Sequence, residues 1–305
     1  MRIGRMFFVS RPIIIHPGGN LKINPRRATV IGLGLIGGSI SMALRRCGWE
    51  VAGVDQSKDA VSSAKKRGLS SSAGTSIAEG VEGASVIFLC VPMQAMEKVL
   101  LSVSRSMDSR AIVTDAGSVK FPVVEMASRL LPLSSRFVGG HPMAGSEKSG
   151  SEASSAGMFR GRVCVLTPVS GTDPRSLAMV SGLWGKFGAK VVNMSPKKHD
   201  EAVARISHLP HAVAVALMLA ASRKPESLRL VSGGFMDGTR VSLGDPFLWE
   251  GIFRSNRKEV LASLKGFEVE LRSLRRYISS GSGGQLRKCL AGAQAVRSKI
   301  VRGSE

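Results

Sequence analysis

The sequence is poor in cysteine, in aromatic residues and in long apolar runs. Its 305 residues include four cysteines with no CxxC spacing, which excludes a disulfide framework and predicts reduced thiols. Cys90 and Cys164 lie in apolar, strand-like runs, as core cysteines do. The longest apolar run, residues 212–221, is too short to cross a membrane. It predicts a buried helix and no membrane association.

Acidic residues are also scarce. Lysine and arginine number 43 against 22 acidic residues, and the net charge is +21, a balance that can indicate nucleic-acid binding. The basic residues are dispersed, however, and aromatic residues make up only 5% of the chain, so almost none lie between them. We therefore predict a solvated basic surface and no nucleic-acid partner. RNA binding is the alternative, and it would be tight and strongly salt-dependent.

The first 26 residues contain arginines and a short apolar patch, but no small-residue cleavage site after a proper apolar region. We expect an N-terminal extension rather than a signal peptide. A start codon placed too far upstream is the alternative. Together with the reduced cysteines, this favours a cytoplasmic protein.

A glycine-rich turn follows the first strand-like run. Residues 28–42, ATVIGLGLIGGSISM, contain the G-x-G-x-x-G spacing at Gly32, Gly34 and Gly37. In dinucleotide-binding turns the first glycine permits the tight turn, the second lets the backbone approach a pyrophosphate, and the third lets helix pack on strand. Asp55 ends the next strand-like run and is expected to accept both ribose hydroxyls. NAD is therefore favoured over NADP, although Lys58 weakens that preference.

Apolar, β-branched runs alternate with helical patterns as far as residue 194. The runs are residues 29–31, 51–55, 85–91, 111–114, 136–139, 163–167 and 190–193. This alternation is typical of a mostly parallel sheet covered on both faces. From Ser195 the sequence is helical almost throughout, with Pro196 at the first helical position. We predict an α/β chain in which a Rossmann-type doubly wound parallel sheet (27–194) precedes an all-helical domain (195–305).

Two polar motifs follow later strand-like runs. TDAGSVK (114–120) contains Ser118, and GGHPMAGSEKSG (139–150) contains His141. Because the carboxyl ends of parallel strands meet at one edge, both side chains are expected at one site. Oxidation of an alcohol requires a base for the hydroxyl proton, and imidazole titrates at about 6.5. We predict that His141 is this base and that Ser118 bonds the same hydroxyl. The alternatives are a histidine that bonds nearby backbone and a serine that caps a helix.

Taken together, these motifs resemble those of the prephenate/arogenate dehydrogenase family of tyrosine biosynthesis. The resemblance extends from about Arg27 nearly to the C-terminus. It rests on GLGLIGGS, TDAGSVK and GGHPMAGSEKSG, and on SHLPH (207–211), GGFMDGTR (233–240) and DPFLWEGIF (245–253). It implies an NAD-dependent oxidative decarboxylation, in which a cyclohexadienyl alcohol loses hydride and carbon dioxide and becomes aromatic. It also places His141 and Ser118 in the catalytic centre.

Further site residues come from the helical part of the chain. The resemblance assigns His211 to substrate binding, and the fork of Arg240 suits a substrate carboxylate. We expect Glu147 to pair with Arg240 or another cation and to gate the site. Trp249 is expected to pack near the site, or alternatively in the core. His208 is interpreted as structural, and no further ligands complete a metal site.

The expected cofactor is NAD, with NADP less favoured. Its predicted contacts are Gly32, Gly34, Leu35, Ile36, Gly37, Asp55, Val91 and Pro92. The long apolar faces of the helical domain predict a homodimer, as the resemblance also implies.

Several functions remain open on the sequence alone. Conversion of prephenate to 4-hydroxyphenylpyruvate is the first, and conversion of arogenate to tyrosine is the alternative. A β-hydroxyacid-type dehydrogenase would share the fold, but it would use a catalytic lysine from the helical domain. A non-catalytic NAD-sensing protein would need only the glycine turn and Asp55.

Overall fold

A computed structural model describes residues 26–145 and 150–302. Within it the chain divides into two compact units, the first ending at His199 and the second beginning at Asp200. The boundary lies a few residues beyond Ser195, where the sequence predicts the change to an all-helical pattern.

The first unit contains an eight-stranded sheet with the order β3-β2-β1-β4-β5-β6-β7-β8. The strands are β1 (Arg27–Ile31), β2 (Glu50–Val54), β3 (Ser72–Gly74), β4 (Val86–Leu89), β5 (Ile112–Asp115), β6 (Phe137–Pro142), β7 (Val163–Thr167) and β8 (Lys190–Asn193). This order on either side of β1 is that of a doubly wound sheet, which confirms the predicted fold class.

Two features of the sheet depart from the sequence prediction. The short edge strand β3 has the sequence Ser-Ala-Gly, which lacks the β-branched residues that mark a strand. In addition, β6 and β7 pair antiparallel, whereas all the other neighbouring strands pair parallel. The amino end of β7 therefore lies beside the carboxyl end of β6.

Helices alternate with these strands. They are α1 (Leu35–Arg46), α2 (Lys58–Lys66), α3 (Ile77–Val81), α4 (Met93–Ser106), α5 (Phe121–Leu130), α6 (Pro174–Lys186) and α7 (Pro196–Val203). The core contains an aromatic cluster in which Trp184 meets Phe88, Phe159 and Phe187 edge-on, with ring centroids 5.1–6.3 Å apart. Buried valines and leucines of the central strands complete it. All four cysteines are free thiols, as predicted.

The second unit is helical. After α7 come α8 (Leu209–Ser222), α9 (Gly233–Thr239), α10 (Pro246–Ser255), α11 (Arg257–Ser279) and α12 (Gly283–Arg302), with short 3-10 turns at Pro225–Leu230 and Arg240–Leu243. Many large apolar side chains of this unit are exposed. They include Leu261, Leu271, Ile278 and Leu290, each more than half exposed.

A π-helical turn, Ala204–His208, joins α7 to α8. Pro210 follows it in the first turn of α8, where a proline cannot donate a backbone hydrogen bond to the preceding turn. A wider turn at such a position relieves the conflict, because π-helical turns bond at a longer spacing.

Because the π-helical turn connects α7 and α8 without a break, Pro196–Ser222 forms a single continuous helix. This helix is longer than the apolar segment 212–221 noted in the sequence. It is long and apolar enough to cross a membrane by length and composition, and 28% of its most apolar window is buried. A core helix of a soluble protein meets the same criteria. The run is therefore weak evidence for a membrane span.

Candidate functional site

The glycine turn after β1 has the geometry that a bound dinucleotide requires. Gly32 has φ +94°, and a Cβ there would overlap the Cys90 carbonyl; a Cβ at Gly37 would overlap the Gly32 carbonyl. Gly34 is different, because a Cβ there would meet no atom within 4 Å. Gly34 precedes α1 and provides no side-chain cap. The N-terminus of α1 is therefore uncapped and unobstructed beside Gly34, as phosphate binding at a helix N-terminus requires.

This contrast gives a matched pair of variants. Gly34→Ala should leave the melting temperature almost unchanged and weaken dinucleotide binding about tenfold or more, because its methyl group enters the space beside the helix N-terminus. Gly32→Ala should destabilise the protein by at least about 1–2 kcal/mol from left-handed strain alone. Thermal melting and NAD titration of both variants measure the two effects. Unchanged NAD affinity in Gly34→Ala would show that the cofactor lies elsewhere.

Asp55 lies directly after β2 and is tied to the glycine turn. Its Oδ2 accepts a hydrogen bond from the Leu33 amide at 2.8 Å, and its Oδ1 accepts one from the Ser57 amide at 2.9 Å. An ionised carboxylate has about four acceptor positions, so two bonds leave capacity for the ribose hydroxyls. Asp55 is half-buried. These residues fit a dinucleotide.

The other predicted cofactor residues lie at the same edge of the sheet. Leu35 and Ile36 form the first turn of α1 and are partly exposed. Val91 follows β4, and the exposed Pro92 precedes α4 as its N-cap. Their contacts with a cofactor remain a prediction.

The residue after the predicted fingerprint, Gly38, has a separate role. A Cβ at Gly38 would overlap the Ser154 hydroxyl, which donates a hydrogen bond to the Leu35 carbonyl at 3.1 Å. The amide of Ser155 donates to the Ser39 hydroxyl at 3.0 Å. The segment around Ser154 is thus held against the start of α1, beside the glycine turn.

A buried ion pair joins β5 to β6. Lys120 and Asp115 are both fully buried and bonded to each other. Lys120 Nζ also donates to the Gly140 carbonyl at 2.7 Å, and Asp115 Oδ1 accepts from the Gly140 amide at 3.0 Å. Asp115 Oδ2 accepts in addition from the Gly117 amide at 2.9 Å. Both charges of TDAGSVK therefore fix the backbone immediately before His141.

Sequence reasoning missed the functions of Asp115 and Lys120, although both belong to a motif that it singled out. Their charge and a spacing of five residues do not indicate burial, since charged residues are rarely buried unless they are paired. The one local sign that Asp115 is buried was its position directly after three buried strand residues, where a solvent-exposed side chain is unexpected.

His141 lies within β6 rather than in a turn after it, contrary to the sequence prediction. On one side β5 pairs with β6 only at Phe137 and Val138. On the other side β7 pairs with Gly139 through Pro142, and His141 is opposite Val165. The antiparallel partner therefore extends β6 past the edge formed by β5. The side chain of His141 is 9% exposed.

Ser118 lies in the turn after β5 and is half-buried. It does not cap the following helix, because α5 begins at Phe121 with Lys120 as its N-cap residue and without a side-chain cap bond. The helix-cap alternative for Ser118 is therefore excluded at this helix. Its proposed contact with a substrate hydroxyl remains a prediction.

His199 contacts His141 and was not predicted. The two rings meet edge-on at 70°, with centroids 5.0 Å apart. His141 Nδ1 and His199 Nε2 are hydrogen-bonded at 2.8 Å, and His199 is 1% exposed. In the sequence His199 is one polar residue in a charged first turn, and nothing in that pattern indicates its partner.

In the second unit the structure brings His211 and Trp249 together. Their rings stack with centroids 3.6 Å apart and planes 11° from parallel. A Cβ at Gly244 would overlap the indole of Trp249, so this glycine is needed for the stack. Trp249 is half-buried, whereas His211 is only 4% exposed.

The imidazole of His211 is set up to be neutral. Burial lowers its pKa, and a hydrogen bond with the Val241 backbone partly opposes the shift. Its Nδ1 is buried and has no hydrogen-bond partner within residues 26–145 and 150–302. Buried polar atoms are rarely left unpaired, and a bound ligand would supply the missing partner of this Nδ1.

His208 has a different environment. Asn256 Nδ2 donates to the Asp200 carbonyl at 2.9 Å and also lies 3.2 Å from His208 Nδ1. This buried arrangement supports the structural interpretation of His208. Among the described residues no group of three or more His, Cys, Asp or Glu side chains could hold a metal ion.

Arg240 is exposed at the start of a 3-10 turn that directly follows α9. The chain reaches it through the short helix α9. Glu147 lies outside the described residues, so its pairing and its gating role stay predictions.

The fold and this site define a class of protein, the Rossmann-type dehydrogenases with a helical second domain. Two family models match the chain. The nucleotide-binding domain of prephenate dehydrogenase matches residues 40–193, and the dimerization domain of prephenate dehydrogenase matches residues 195–292. The chain belongs to the prephenate dehydrogenase family.

Individual relatives agree with this assignment. Prephenate dehydrogenase of Bacillus subtilis (strain 168) is 33% identical over 265 residues, which is 84% of this chain and 71% of the relative. The crystal structure of prephenate dehydrogenase from Aquifex aeolicus in complex with hydroxyphenyl propionate and NAD+ superposes with a TM-score of 0.85 at 33% identity. The match covers 91% of this chain and 99% of the Aquifex aeolicus chain. The crystal structure of Synechocystis arogenate dehydrogenase superposes with a TM-score of 0.75 at 34% identity. The match covers 90% of this chain and 99% of the Synechocystis chain.

Proposed function

We propose that this protein catalyses the NAD-dependent oxidative decarboxylation of prephenate to 4-hydroxyphenylpyruvate, a step of tyrosine biosynthesis. The observation that carries the proposal is the position of His141. It is a buried histidine at the carboxyl edge of the sheet, the same edge at which the glycine turn follows β1. Its backbone is held by the pairing of β6 with β7 and by the bonds of Lys120 and Asp115 to Gly140. The ligands of the Aquifex aeolicus enzyme, NAD+ and a hydroxyphenyl compound, support the same chemistry.

The residues of the first unit account for the proton. NAD, when bound, accepts the hydride from the carbon that bears the hydroxyl. His141 holds the proton of that hydroxyl while the carbon–oxygen bond gains double-bond character. Ser118 orients the hydroxyl by a hydrogen bond. As the carbon–carbon bond to the ring carboxylate breaks, its electron pair enters the ring and carbon dioxide leaves. The proton then returns to the oxygen of the phenol.

Cofactor choice is proposed to depend on Asp55. Its carboxylate should accept the ribose hydroxyls of NAD and repel the 2′-phosphate of NADP. We therefore expect a clear preference for NAD in kcat/KM. Asp55→Ser combined with a nearby arginine should diminish or reverse that preference. Equal kcat/KM for the two cofactors in the unmodified enzyme would contradict the role of Asp55.

His211, Trp249 and Arg240 are proposed to bind the substrate. The unpartnered, buried Nδ1 of His211 provides a polar contact, and its stack with Trp249 fixes the ring. A neutral His211 offers a hydrogen bond rather than a charge, so the carboxylate needs a separate cation. The exposed guanidinium of Arg240 can supply one with two parallel hydrogen bonds. Glu147 is proposed to pair with a cation nearby.

Arg240→Gln should raise KM at least tens-fold and change kcat much less, because a charge-assisted bidentate pair contributes about 2–3 kcal/mol to binding. Arg240→Lys should recover part of the loss, since an ammonium lacks the planar fork. NAD affinity without substrate should stay intact in both variants. A KM within about twofold of the parent for Arg240→Gln would assign the carboxylate to another cation, such as Arg205 or Lys148.

Arogenate dehydrogenase is the second candidate, and the similarity to the Synechocystis arogenate dehydrogenase favours it as the alternative. The two substrates differ in a side-chain keto group or ammonium group. The deciding experiment compares kcat/KM for prephenate and arogenate, each with NAD and with NADP. A preference for prephenate supports the first function, a preference for arogenate supports the second, and turnover of neither overturns both.

The remaining expectations concern assembly and location. We propose a domain boundary at Ser195, whose hydroxyl accepts from the Lys198 amide at 3.3 Å as the N-cap of α7, and an N-terminal extension over residues 1–26. A homodimer is proposed because the second unit matches a dimerization domain and exposes large apolar side chains. We propose a soluble, cytoplasmic enzyme that binds neither nucleic acid nor a membrane.

A further inference from the structure

The proposed mechanism uses one nitrogen of His141 and does not explain the other. Nδ1 of His141 is bonded to Nε2 of His199 at 2.8 Å, so a base role at His141 falls to its other ring nitrogen, Nε2. A bond between two imidazole nitrogens requires one N–H group and one lone pair. The tautomers of the two histidines are therefore linked.

Only one of the two arrangements suits a base. If His141 Nδ1 donates, its Nε2 has a lone pair and can accept a proton. If His141 Nδ1 accepts, its Nε2 already carries the hydrogen and cannot act as a base. The direction of the hydrogen bond to His199 thus decides whether His141 can take the hydroxyl proton.

We propose that His199 is a positioning residue that holds His141 in the tautomer protonated on Nδ1, by accepting a hydrogen bond from that N–H on the lone pair of its own Nε2. This proposal rests on the proposed function, because it assigns the base role to His141.

Protonation of His141 favours the same arrangement. After His141 takes a proton, both of its ring nitrogens carry hydrogens, and only a lone pair on His199 can face Nδ1. The bond then becomes charge-assisted and stronger. The reverse arrangement would place two N–H groups against each other. His199 and His141 are 1% and 9% exposed, and a dry environment strengthens such a bond.

Both rings are fixed by regular structure. His141 is held in β6 by the ladder to β7. His199 lies in the first turn of α7, and its amide donates to the Ser195 carbonyl at 3.0 Å. Groups on helices and strands are held more precisely than groups on loops. This pair is therefore suited to hold one tautomer.

Two replacements of His199 separate positioning from packing. His199→Leu removes the acceptor and should lower kcat about 10–100-fold, the effect of losing a hydrogen bond to a charged group, with KM nearly unchanged. His199→Gln retains an acceptor oxygen and should recover a large part of kcat. If the two variants have equally low kcat although both remain folded by circular dichroism, His199 serves packing only and the proposal fails.

A double-mutant cycle gives a second test. In the His141→Asn background, His199→Leu should change kcat less than about twofold, because the ring that it positions is absent. Additive losses of kcat would overturn the proposal.

The third test does not depend on turnover. Ring 15N chemical shifts of the free protein, with His141 assigned by comparison with His141→Asn, should show Nδ1 protonated and Nε2 unprotonated. The opposite tautomer would overturn the positioning role. If the protein turns over neither prephenate nor arogenate, the proposed function fails, and the 15N shifts still test the arrangement of the two histidines.

Discussion

His141→Asn is expected to lower kcat about 100-fold or more, roughly 2.7 kcal/mol in the barrier, as for the loss of a general base. Asparagine retains polarity and fits the buried position at the end of β6, so the fold should be preserved. It has no nitrogen that accepts a proton near neutral pH. Steady-state rates with the preferred substrate and saturating NAD measure the effect.

The control for this variant is NAD affinity, which should change little, since Asp55 bonds the Leu33 and Ser57 amides whereas His141 bonds His199. A nearly normal kcat in His141→Asn would mean that the base lies elsewhere. His211 would then be the first alternative, because its lowered pKa also leaves it neutral and able to accept a proton.

Lys120→Met should destabilise the protein by about 3–5 kcal/mol, because it leaves the fully buried carboxylate of Asp115 without its counter-charge. The Gly140 carbonyl would also lose its donor. For a unit of this size the melting temperature should fall by roughly 10 °C. Thermal and urea unfolding, monitored by circular dichroism, measure both quantities.

Two further variants show whether burial is the reason. Asp115→Asn combined with Lys120→Met removes both charges and retains an acceptor oxygen, so it should be more stable than Lys120→Met alone. Arg129→Met breaks an ion pair with Glu97 in which both side chains are more than 60% exposed, and it should cost no more than about 1 kcal/mol. Equal losses in Lys120→Met and Arg129→Met would refute the argument.

Apart from the edge strand β3, the sequence predicts the parallel part of the sheet well, because those strands lie in short apolar runs rich in β-branched residues. The glycine spacing was equally informative, since Gly32 is required by its left-handed φ and the nearby Cys90 carbonyl, and Gly37 by the Gly32 carbonyl. The antiparallel direction of β7 was not predictable in this way. Strand direction depends on the connection and on the partner, and the residues of β7 are as apolar as those of a parallel strand.

The limits are clearest at the site. His141 was identifiable because its motif is distinctive, whereas its partner His199 lies 58 positions away and belongs to a pattern of charged residues that predicts only a solvated helix. Similarly, the charges of Asp115 and Lys120 suggest exposure. They can be buried because the backbone of Gly140 bonds to both of them: its carbonyl accepts from Lys120, and its amide donates to Asp115. Such pairings arise from the tertiary fold and leave little trace in local sequence.

The antiparallel neighbour of β6 also has a consequence for hydrogen exchange. Because His141 belongs to the sheet ladder, the opening that exposes its segment requires separating β7 from β6, which is a larger event than the opening of a loop. The amides of residues 139–141 should therefore exchange with solvent among the slower amides of the protein, unlike those of most catalytic loops. Substitutions in β7 that never contact the substrate would then speed this exchange and reduce turnover together.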